Sequence, residues 1–485
     1  MYAHLLPLLE KLAGHRVLCV GDVMLDRFVY GSVDRISPEA PIPVLHTQRE
    51  TMTLGGAGNV VRNLAALDGK VDMVGVVGTD QPGQDLAQLL SALPHAQAHL
   101  LTDATRPTTL KTRYVANGQQ LLRADYEVSA PLSAAMEQQV LQRVRESIDS
   151  CDIVILSDYA KGVLTDTVVA EIIKLGRDKN RRVLIDPKGR DFSRYRGASM
   201  LTPNRRELAE ATGLPIRTVE DAEKAARSLI AAHDLQGILA KLGGDGVCLV
   251  MRDEPAQHSH TTAREVYDVS GAGDTVVATM ALALAGGLSP ADSAALANIA
   301  GSIVVGKVGT STITRGELAL ELVHDQARQS EEKIATLAQT ADTVARWRKQ
   351  GLKVGFTNGC FDLLHPGHLS LIRQSRAACD RLIIGLNSDA SVKRLKGESR
   401  PVQNENARAA VLASLADVDG VVIFTEDTPI EALKAIRPDV LVKGADYTVE
   451  QVVGADLVQG WGGKVLLAQL VEGQSTTATI AKLRT

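Results

Sequence analysis

The sequence predicts two successive α/β domains, each built on a parallel sheet with crossover helices. Three observations carry this. The chain has 485 residues, more than one ordinary hydrophobic core fills. Apolar runs of strand length alternate with longer amphipathic segments, the pattern of βαβ units. That alternation restarts near Leu352 after a polar, helix-favouring stretch.

In the first half the strand-like runs are Arg16 to Val20, Val71 to Val77, Asp152 to Leu156 and Arg182 to Ile185. The segment Phe28 to His46 departs from the rhythm: β-formers flank Gly31, and prolines stand at 38, 41 and 43, which suits extended, edge-like strands rather than a helix. From Gly316 to Gln350 the chain is rich in Glu, Gln, Ala and Lys and contains no proline, so it reads as a helical connector. The second series comprises Lys353 to Phe356, Leu382 to Leu386, Val421 to Phe424, Val440 to Val442 and Val465 to Leu467. No fixed-period repeat relates the halves. The expected organisation is a first domain over 1–318, a helical linker over 319–350 and a second domain over 351–485.

Composition narrows the function. Hydrophobic residues make up 45% and charged residues 23%, a globular balance that excludes disorder. A net charge of -4 without a Lys/Arg-rich run argues against a nucleic-acid binder, yet small anions remain accessible to backbone amides and local cations. Cys19, Cys151, Cys248, Cys360 and Cys379 form no CxxC pair, so reduced, buried thiols are expected. The N-terminal stretch carries Glu10 and Lys11 within its apolar run, unlike a secretory signal. Thr275 to Ala291 is uncharged but broken by Gly286, Gly287 and Pro290, which predicts a buried helix instead of a membrane span. A cytoplasmic location follows as the expectation.

The first chemical constellation is Asp268-Val-Ser-Gly-Ala-Gly-Asp274, followed by that apolar helix. Gly271, Ala272 and Gly273 let backbone N–H groups converge at a helix N-terminus, where the dipole favours an anion. Asp274 then lies beside the anion and can take a proton from an attacking hydroxyl. Alone, the motif also fits an ordinary helix cap. Three further elements accompany it: Gly55-Gly56-Ala-Gly-Asn59 before a helix, Thr202-Pro-Asn204-Arg205-Arg206-Glu207 after a strand, and Lys241-Leu-Gly243-Gly244-Asp-Gly246 as strand, turn and strand.

These elements, in this order, resemble the ribokinase (PfkB) family of carbohydrate kinases over roughly residues 10 to 318. The resemblance implies a ribokinase-like domain whose small β flap, the segment after Phe28, covers the substrate. It implies Asp274 as catalytic base, Gly271 to Gly273 as anion hole and residues 241 to 246 beside the nucleotide. Asn204 and Glu207 then stand near Mg-phosphate, with Arg205 and Arg206 between them, and no side chain is a dedicated metal ligand. Asp26 and the Gly55, Gly56, Asn59 element would bind sugar hydroxyls, although Asp22 stands four residues earlier and either carboxylate suits that role or a turn. Arg35, Lys111, Arg113 and Arg123 are candidates to hold a substrate phosphate; for each, a solvated surface role is the alternative.

The second constellation is Gly355-Phe356-Thr357-Asn358-Gly-Cys-Phe-Asp362-Leu-Leu-His365-Pro366-Gly-His368, which ends a strand, crosses a glycine-bearing loop and enters a helix. Pro366 suits a first helical turn. Two histidines three apart face one way and can neutralise charge as pyrophosphate leaves; a two-histidine metal site completed by Asp362, or purely structural histidines, are the competing readings. The full string resembles the cytidylyltransferase-like nucleotidyltransferases, over about residues 350 to 485, which implies a Rossmann-like α/β domain with Phe356, Thr357, Asn358 and Asp362 at the nucleotide. Ser475, Thr476 and Thr477 would cap a helix against the β/γ-phosphates, and Lys393, Arg400 and Lys443 are the candidate phosphate cations.

Together the halves look like the family of bifunctional heptose 7-phosphate kinase / heptose 1-phosphate adenylyltransferases. That resemblance implies phosphorylation of D-glycero-β-D-manno-heptose 7-phosphate at C1 and adenylylation of heptose 1-phosphate to ADP-heptose, for the lipopolysaccharide core. ATP is then the shared substrate, Mg²⁺ the cofactor and sugar phosphates the partners, with no nucleic acid and no membrane. The flap strands suggest a homodimer across a two-fold axis. A kinase fused to a cytidylyltransferase for another polyol or sugar phosphate, and a non-catalytic nucleotide sensor, are the alternatives.

Overall fold

A computed structural model describes residues 2–261, 267–307, 309–445 and 447–469. The chain forms two compact units, Tyr2–Leu322 and Val323–Thr485. In the first, a nine-stranded sheet runs in the order Gln257–Ser259, Val247–Met251, Gly237–Lys241, Met200–Leu201, Arg182–Asp186, Ile153–Ser157, Arg16–Gly21, Lys70–Val77, Ala96–Thr102. Its strands are parallel except at the edge that begins with the Gly243–Gly246 turn. Side chains of one strand alternate between two cores: Val17 and Cys19 join one, Leu18 and Val20 the other, as helices on both faces require.

The strand order reverses between Arg16–Gly21 and Ile153–Ser157. Ligands of open α/β sheets bind in the crevice at such a reversal, beyond the carboxyl ends of the strands. Both helices after Asp268, Ala272–Ala285 and Pro290–Val304, are buried almost all round and pack on each other. Among the described residues no helix is long and apolar enough to cross a membrane.

The β flap is larger than the sequence suggests. Its four strands run Pro43–Gly56, Val23–Ile36, Leu110–Ala116, Gln119–Tyr126. The last two arrive from a distant part of the chain, and Leu110–Ala116 pairs parallel with Val23–Ile36, a non-local pairing that no local pattern announces. Ile36, Ile42, Leu122 and Tyr126 are exposed on it.

The stretch expected as a connector is helical, as Arg315–Glu332 and Leu337–Lys349. The second helix places Val344 in the core of the second unit with Val354, Phe356 and Ile436, so it packs as part of that unit. There a five-stranded, all-parallel sheet runs Gly420–Phe424, Arg381–Asn387, Val354–Gly359, Val440–Gly444, Lys464–Ala468. Its reversal lies between Val354–Gly359 and Val440–Gly444.

Candidate active sites

The first site is assembled at the switch point of the nine-stranded sheet. Gly271 caps helix Ala272–Ala285 in the left-handed region at φ 78°, and a Cβ there would lie 2.7 Å from Asn59 Nδ2, so glycine is required. Asp274 follows in the first turn and is 5% exposed. Its Oδ2 accepts from Asn59 Nδ2 at 2.7 Å, and its Oδ1 accepts from the Tyr159 hydroxyl at 2.7 Å. Burial pushes the Asp274 carboxyl up to about 6 against those two hydrogen bonds, which suits a base working near neutrality.

A cavity of about 230 Å³ opens beside it, lined by Asp26, Gly55, Asn59 and Tyr159 together with Lys111, Arg113 and Arg123. A Cβ on Gly55 would lie 2.4 Å from Asp26 Oδ2; the glycine lets the carboxylate sit at the cavity wall. Of the two early aspartates Asp26 lines the cavity, whereas Asp22 spends its oxygens on the backbone N–H groups of Tyr159, Lys161 and Val163. Arg113 pairs with Asp26 at 2.6 Å. Lys111 bridges Asp125 at 3.0 Å and Glu127 at 3.2 Å, and Arg123 reaches Asp125 at 2.9 Å.

Arg35 is not brought to this cavity. It lies exposed opposite Val44 near the outer end of the flap, about 30 Å along an extended strand from Asp26.

On the nucleotide side, Lys241 ends its strand with Nζ 2.6 Å from Asp186 Oδ1 and near Gly273, whose Cβ would stand 3.3 Å from that Nζ. Gly243 and Gly246 take positive φ and close the turn around Gly244. Asn204 and Glu207 form a capping box, each side chain bound to the other's backbone N–H, and Glu207 also holds Lys188 at 2.9 Å. Arg205 donates to the carbonyls of Ile216, Arg217 and Leu242 and pairs with Asp245; it ties the turn together rather than facing a ligand. Arg206 pairs with Glu210 on the helix surface. Tyr159 and Asp186 went unnoticed in the sequence, although the polar string Ser157-Asp-Tyr-Ala-Lys-Gly162 directly after a strand was a usable signal.

The second site lies at the reversal of the five-stranded sheet, around a cavity of about 670 Å³. His365 caps helix Pro366–Ala377, with Pro366 at its start. The His365 and His368 rings stack with centroids 3.9 Å apart, and Phe361, held at φ 42°, backs His368 at 5.1 Å. Burial lowers both histidines; His368, pressed also by His365, falls to about 4. Both Nδ1 atoms, Thr357 Oγ1 and Asn358 Oδ1 are buried without a hydrogen-bond partner among the described residues. Asn358, His365 and His368 line the cavity, and unpartnered polar atoms on such residues mark a place for a polar ligand.

Several residues of the second half also serve the fold around this cavity. Asp362 lines the same cavity as the histidines, where it accepts from the backbone of Val402 and Gln403 and pairs with Arg400. It therefore clamps the loop that carries Arg400 to the cavity. Asp362 supplies no third metal ligand, and no cluster of three or more His, Cys, Asp or Glu able to hold a metal exists among the described residues. Phe356 is fully buried in the core. Lys393 is exposed away from the cavity, whereas Lys396, one turn later, lines it. Lys443 donates to the Asn358 carbonyl at 3.0 Å. Ser475, Thr476 and Thr477 lie outside the described residues. The five cysteines are free thiols, and Cys360 lines the cavity.

Residues 15–315 match the model of the pfkB family of carbohydrate kinases, and residues 356–477 match the cytidylyltransferase-like family. Fold and sites thus define a bifunctional transferase, a pfkB-family carbohydrate kinase joined to a nucleotidyltransferase. The chain is 54% identical to the bifunctional protein HldE of Paramagnetospirillum magneticum, covering 98% of this chain and 97% of that one. It is likewise 54% identical to the HldE of Rhodospirillum rubrum, over 99% and 97%, and to that of Caulobacter vibrioides, over 97% of each. The chain belongs to the HldE family. Its first unit shares the fold of Arabidopsis thaliana ribokinase, solved with ribose and ATP (TM-score 0.50, 22% identity, 64% of this chain and 99% of that one). Phosphofructokinase-2 of Escherichia coli is similar in the same way (TM-score 0.54, 20% identity, 64% and 99%).

Proposed function

We propose that the first unit transfers the γ-phosphoryl group of ATP to the anomeric hydroxyl of D-glycero-β-D-manno-heptose 7-phosphate. The second unit then transfers the adenylyl group of ATP to heptose 1-phosphate, giving ADP-heptose and pyrophosphate. The observation that carries this reading is the pairing, in one HldE-family chain, of a buried base at an anion turn with a stacked histidine pair at a second switch point. The HldE relatives give no support to a cytidylyltransferase for another polyol.

In the kinase step, Asp274 takes the hydroxyl proton as the sugar oxygen bonds to the γ-phosphorus and the bond to the β-phosphate oxygen breaks. The N–H groups of the Gly271–Gly273 turn and the helix dipole face the transferring charge. Asp26 is placed for sugar hydroxyls, and Lys111, Arg113 and Arg123 for the 7-phosphate, exchanging their carboxylate partners for it. In the adenylyl step the sugar 1-phosphate oxygen bonds to the α-phosphorus as pyrophosphate departs. His365, His368, Lys396 and Arg400 surround that charge. A separate phosphatase must remove the 7-phosphate between the two steps.

Mg²⁺ would arrive with the triphosphate, which usually supplies most of its ligands. The residues fit that mode rather than a protein cage: at the Asn204–Glu207 turn, Glu207 Oε1 is held by Lys188, whose side chain is 47% exposed. When bound, the ion would neutralise phosphate charge during transfer.

The exposed apolar residues of the flap suit self-pairing, and a homodimer through that sheet is part of this reading. A light-scattering mass of one chain at every concentration would remove it. ATP and sugar phosphates place the protein in the cytoplasm. The deciding assay offers ATP or CTP with heptose 7-phosphate, heptose 1-phosphate, ribose, fructose 6-phosphate and glycerol 3-phosphate. ADP from the first sugar and pyrophosphate from the second are expected with ATP; turnover only with another pair would overturn the substrates while leaving both chemistries.

A further inference from the structure

The two oxygens of Asp274 are held from opposite sides, by Asn59 and by Tyr159. Asn59 comes from the glycine motif. Tyr159 comes from the loop 158–162, which leaves the strand Ile153–Ser157 at the sheet reversal. Ala160 sits at φ 55°, and Gly162 at φ 93°, where a Cβ would stand 2.1 Å from the Ala130 carbonyl oxygen. Such left-handed geometry is unfavourable for an alanine and persists only where the surroundings over-determine it.

Two buried carboxylates do the determining. Asp22, 1% exposed, accepts from the backbone N–H groups of Tyr159 at 2.9 Å, Lys161 at 2.9 Å and Val163 at 3.1 Å. Asp158 accepts from the Ala160 N–H at 2.8 Å and from the Tyr195 hydroxyl at 2.8 Å. A plain connection between strand and helix needs neither buried charge. What they secure is the position of the one side chain on this loop that reaches the base.

We propose that Tyr159 is a positioning residue of the kinase: the Asp22-clamped loop holds its hydroxyl against Asp274 Oδ1 and, with Asn59, fixes the carboxylate towards the attacking sugar hydroxyl. Tyr159 keeps its own proton throughout. The proton of the sugar hydroxyl goes to Asp274 as the new oxygen–phosphorus bond forms.

The groups that bear on Asp274 are Tyr159, Asn59, Asp186, Lys241 and the buried Cys19; Tyr159 faces Asp274, Asp186 and Asp26. Burial among these acids drives the Tyr159 hydroxyl well above its ordinary range, so it remains a donor. Its hydrogen bond lowers the Asp274 carboxyl, and losing it lets that carboxyl rise further.

The inference rests on the kinase reading of this site. The test is Tyr159→Phe in the full chain, assayed with ATP and heptose 7-phosphate across pH. Expected are a kcat lower by roughly tenfold, the scale of one charge-assisted hydrogen bond, a KM for sugar within about twofold, and an acid limb moved to higher pH. A wild-type kcat, or a lowered kcat with the acid limb unmoved, overturns the proposal, since a merely structural defect leaves the limb in place. Asp22→Asn should shift kcat and limb in the same direction by less. It carries the test alone if thermal unfolding shows that Tyr159→Phe does not fold, and a wild-type limb in it overturns the proposal. If the wild type does not phosphorylate heptose 7-phosphate, the substrate reading has failed, and the same comparison is made with the sugar phosphate it does accept.

Discussion

The two sites use one nucleotide with opposite devices. The first sets an acidic side chain in a nearly dry place, with its carboxyl raised to about 6 and both oxygens braced. The second sets two stacked imidazoles, depressed by burial, whose Nδ1 atoms, like Thr357 Oγ1 and Asn358 Oδ1, are buried without partners among the described residues. The attacking groups explain the contrast. A sugar hydroxyl must lose a proton as it attacks, so the first site needs a base. A sugar phosphate is already ionised at neutral pH, so the second needs only groups that accept the charge of departing pyrophosphate.

Exchange of the devices is the largest effect expected. Asp274→Asn should lower kinase turnover by about 10³-fold, within the range for general bases, and leave adenylyl transfer within about twofold, because each chemistry is local to its unit. His365→Ala or His368→Ala should do the reverse, by about 10²-fold or more. A single substitution that abolishes both activities in folded protein would break the comparison.

Acidity sharpens it further. Kinase kcat/KM should fall as pH drops through about 6, where Asp274 takes up its proton. The stability consequence has the opposite sense. The folded carboxyl lies above its ordinary value of 3.8, so the charged form is penalised in the fold; the penalty is absent below about pH 4 and complete above about pH 6. At about 1.36 kcal/mol per pKa unit it has an upper bound of about 3 kcal/mol. Asp274→Asn should therefore unfold at a higher temperature than wild type at pH 7.5, with the gap closing towards pH 4; thermal melts across that range would read it.

A smaller signal belongs to the second site. Because its histidines are held neutral, nucleotide binding there should draw protons from solution as the triphosphate favours their charged forms. Calorimetry of ATP binding at pH 7 in buffers of differing ionisation enthalpy should show net uptake, reduced in His368→Asn. Equal uptake in both would assign the histidines a structural role.

The smallest effects separate true phosphate cations from bystanders. Arg35→Ala, Arg206→Ala and Lys393→Ala should stay within about twofold in both assays, as exposed cations away from a cavity contribute little, whereas Arg400→Ala should weaken adenylyl transfer at least tenfold. Arg205→Ala should lower stability of the first unit by about 1–2 kcal/mol through its lost hydrogen bonds, visible in urea unfolding, more than it lowers kcat.

Much of this was legible because glycines and prolines report local backbone needs. The Gly271–Asp274 turn, the Gly55–Asn59 entry to a helix and the His365–His368 helix start are short segments whose conformation their own residues dictate, and the structure places all three beside a cavity. Charged residues were harder. Arg113 and Arg35 look alike in the sequence, yet one meets Asp26 and the other lies exposed on the flap. Asp362 lines the second cavity and also binds a loop 40 residues later, and the Asn204–Glu207 pair is a capping box as well as a family motif.

By itself, then, the sequence determined the two α/β units, their order, the glycine turn with Asp274 at its end, and the two-histidine helix start, since each rests on local periodicity or backbone freedom. The tertiary structure decided which aspartate lines the first cavity, the four-stranded flap, and the brace on Asp274. Tyr159 and Asp274 stand 115 residues apart, and what brings them together is the reversal of strand order in the sheet, a long-range pairing that no window of sequence contains.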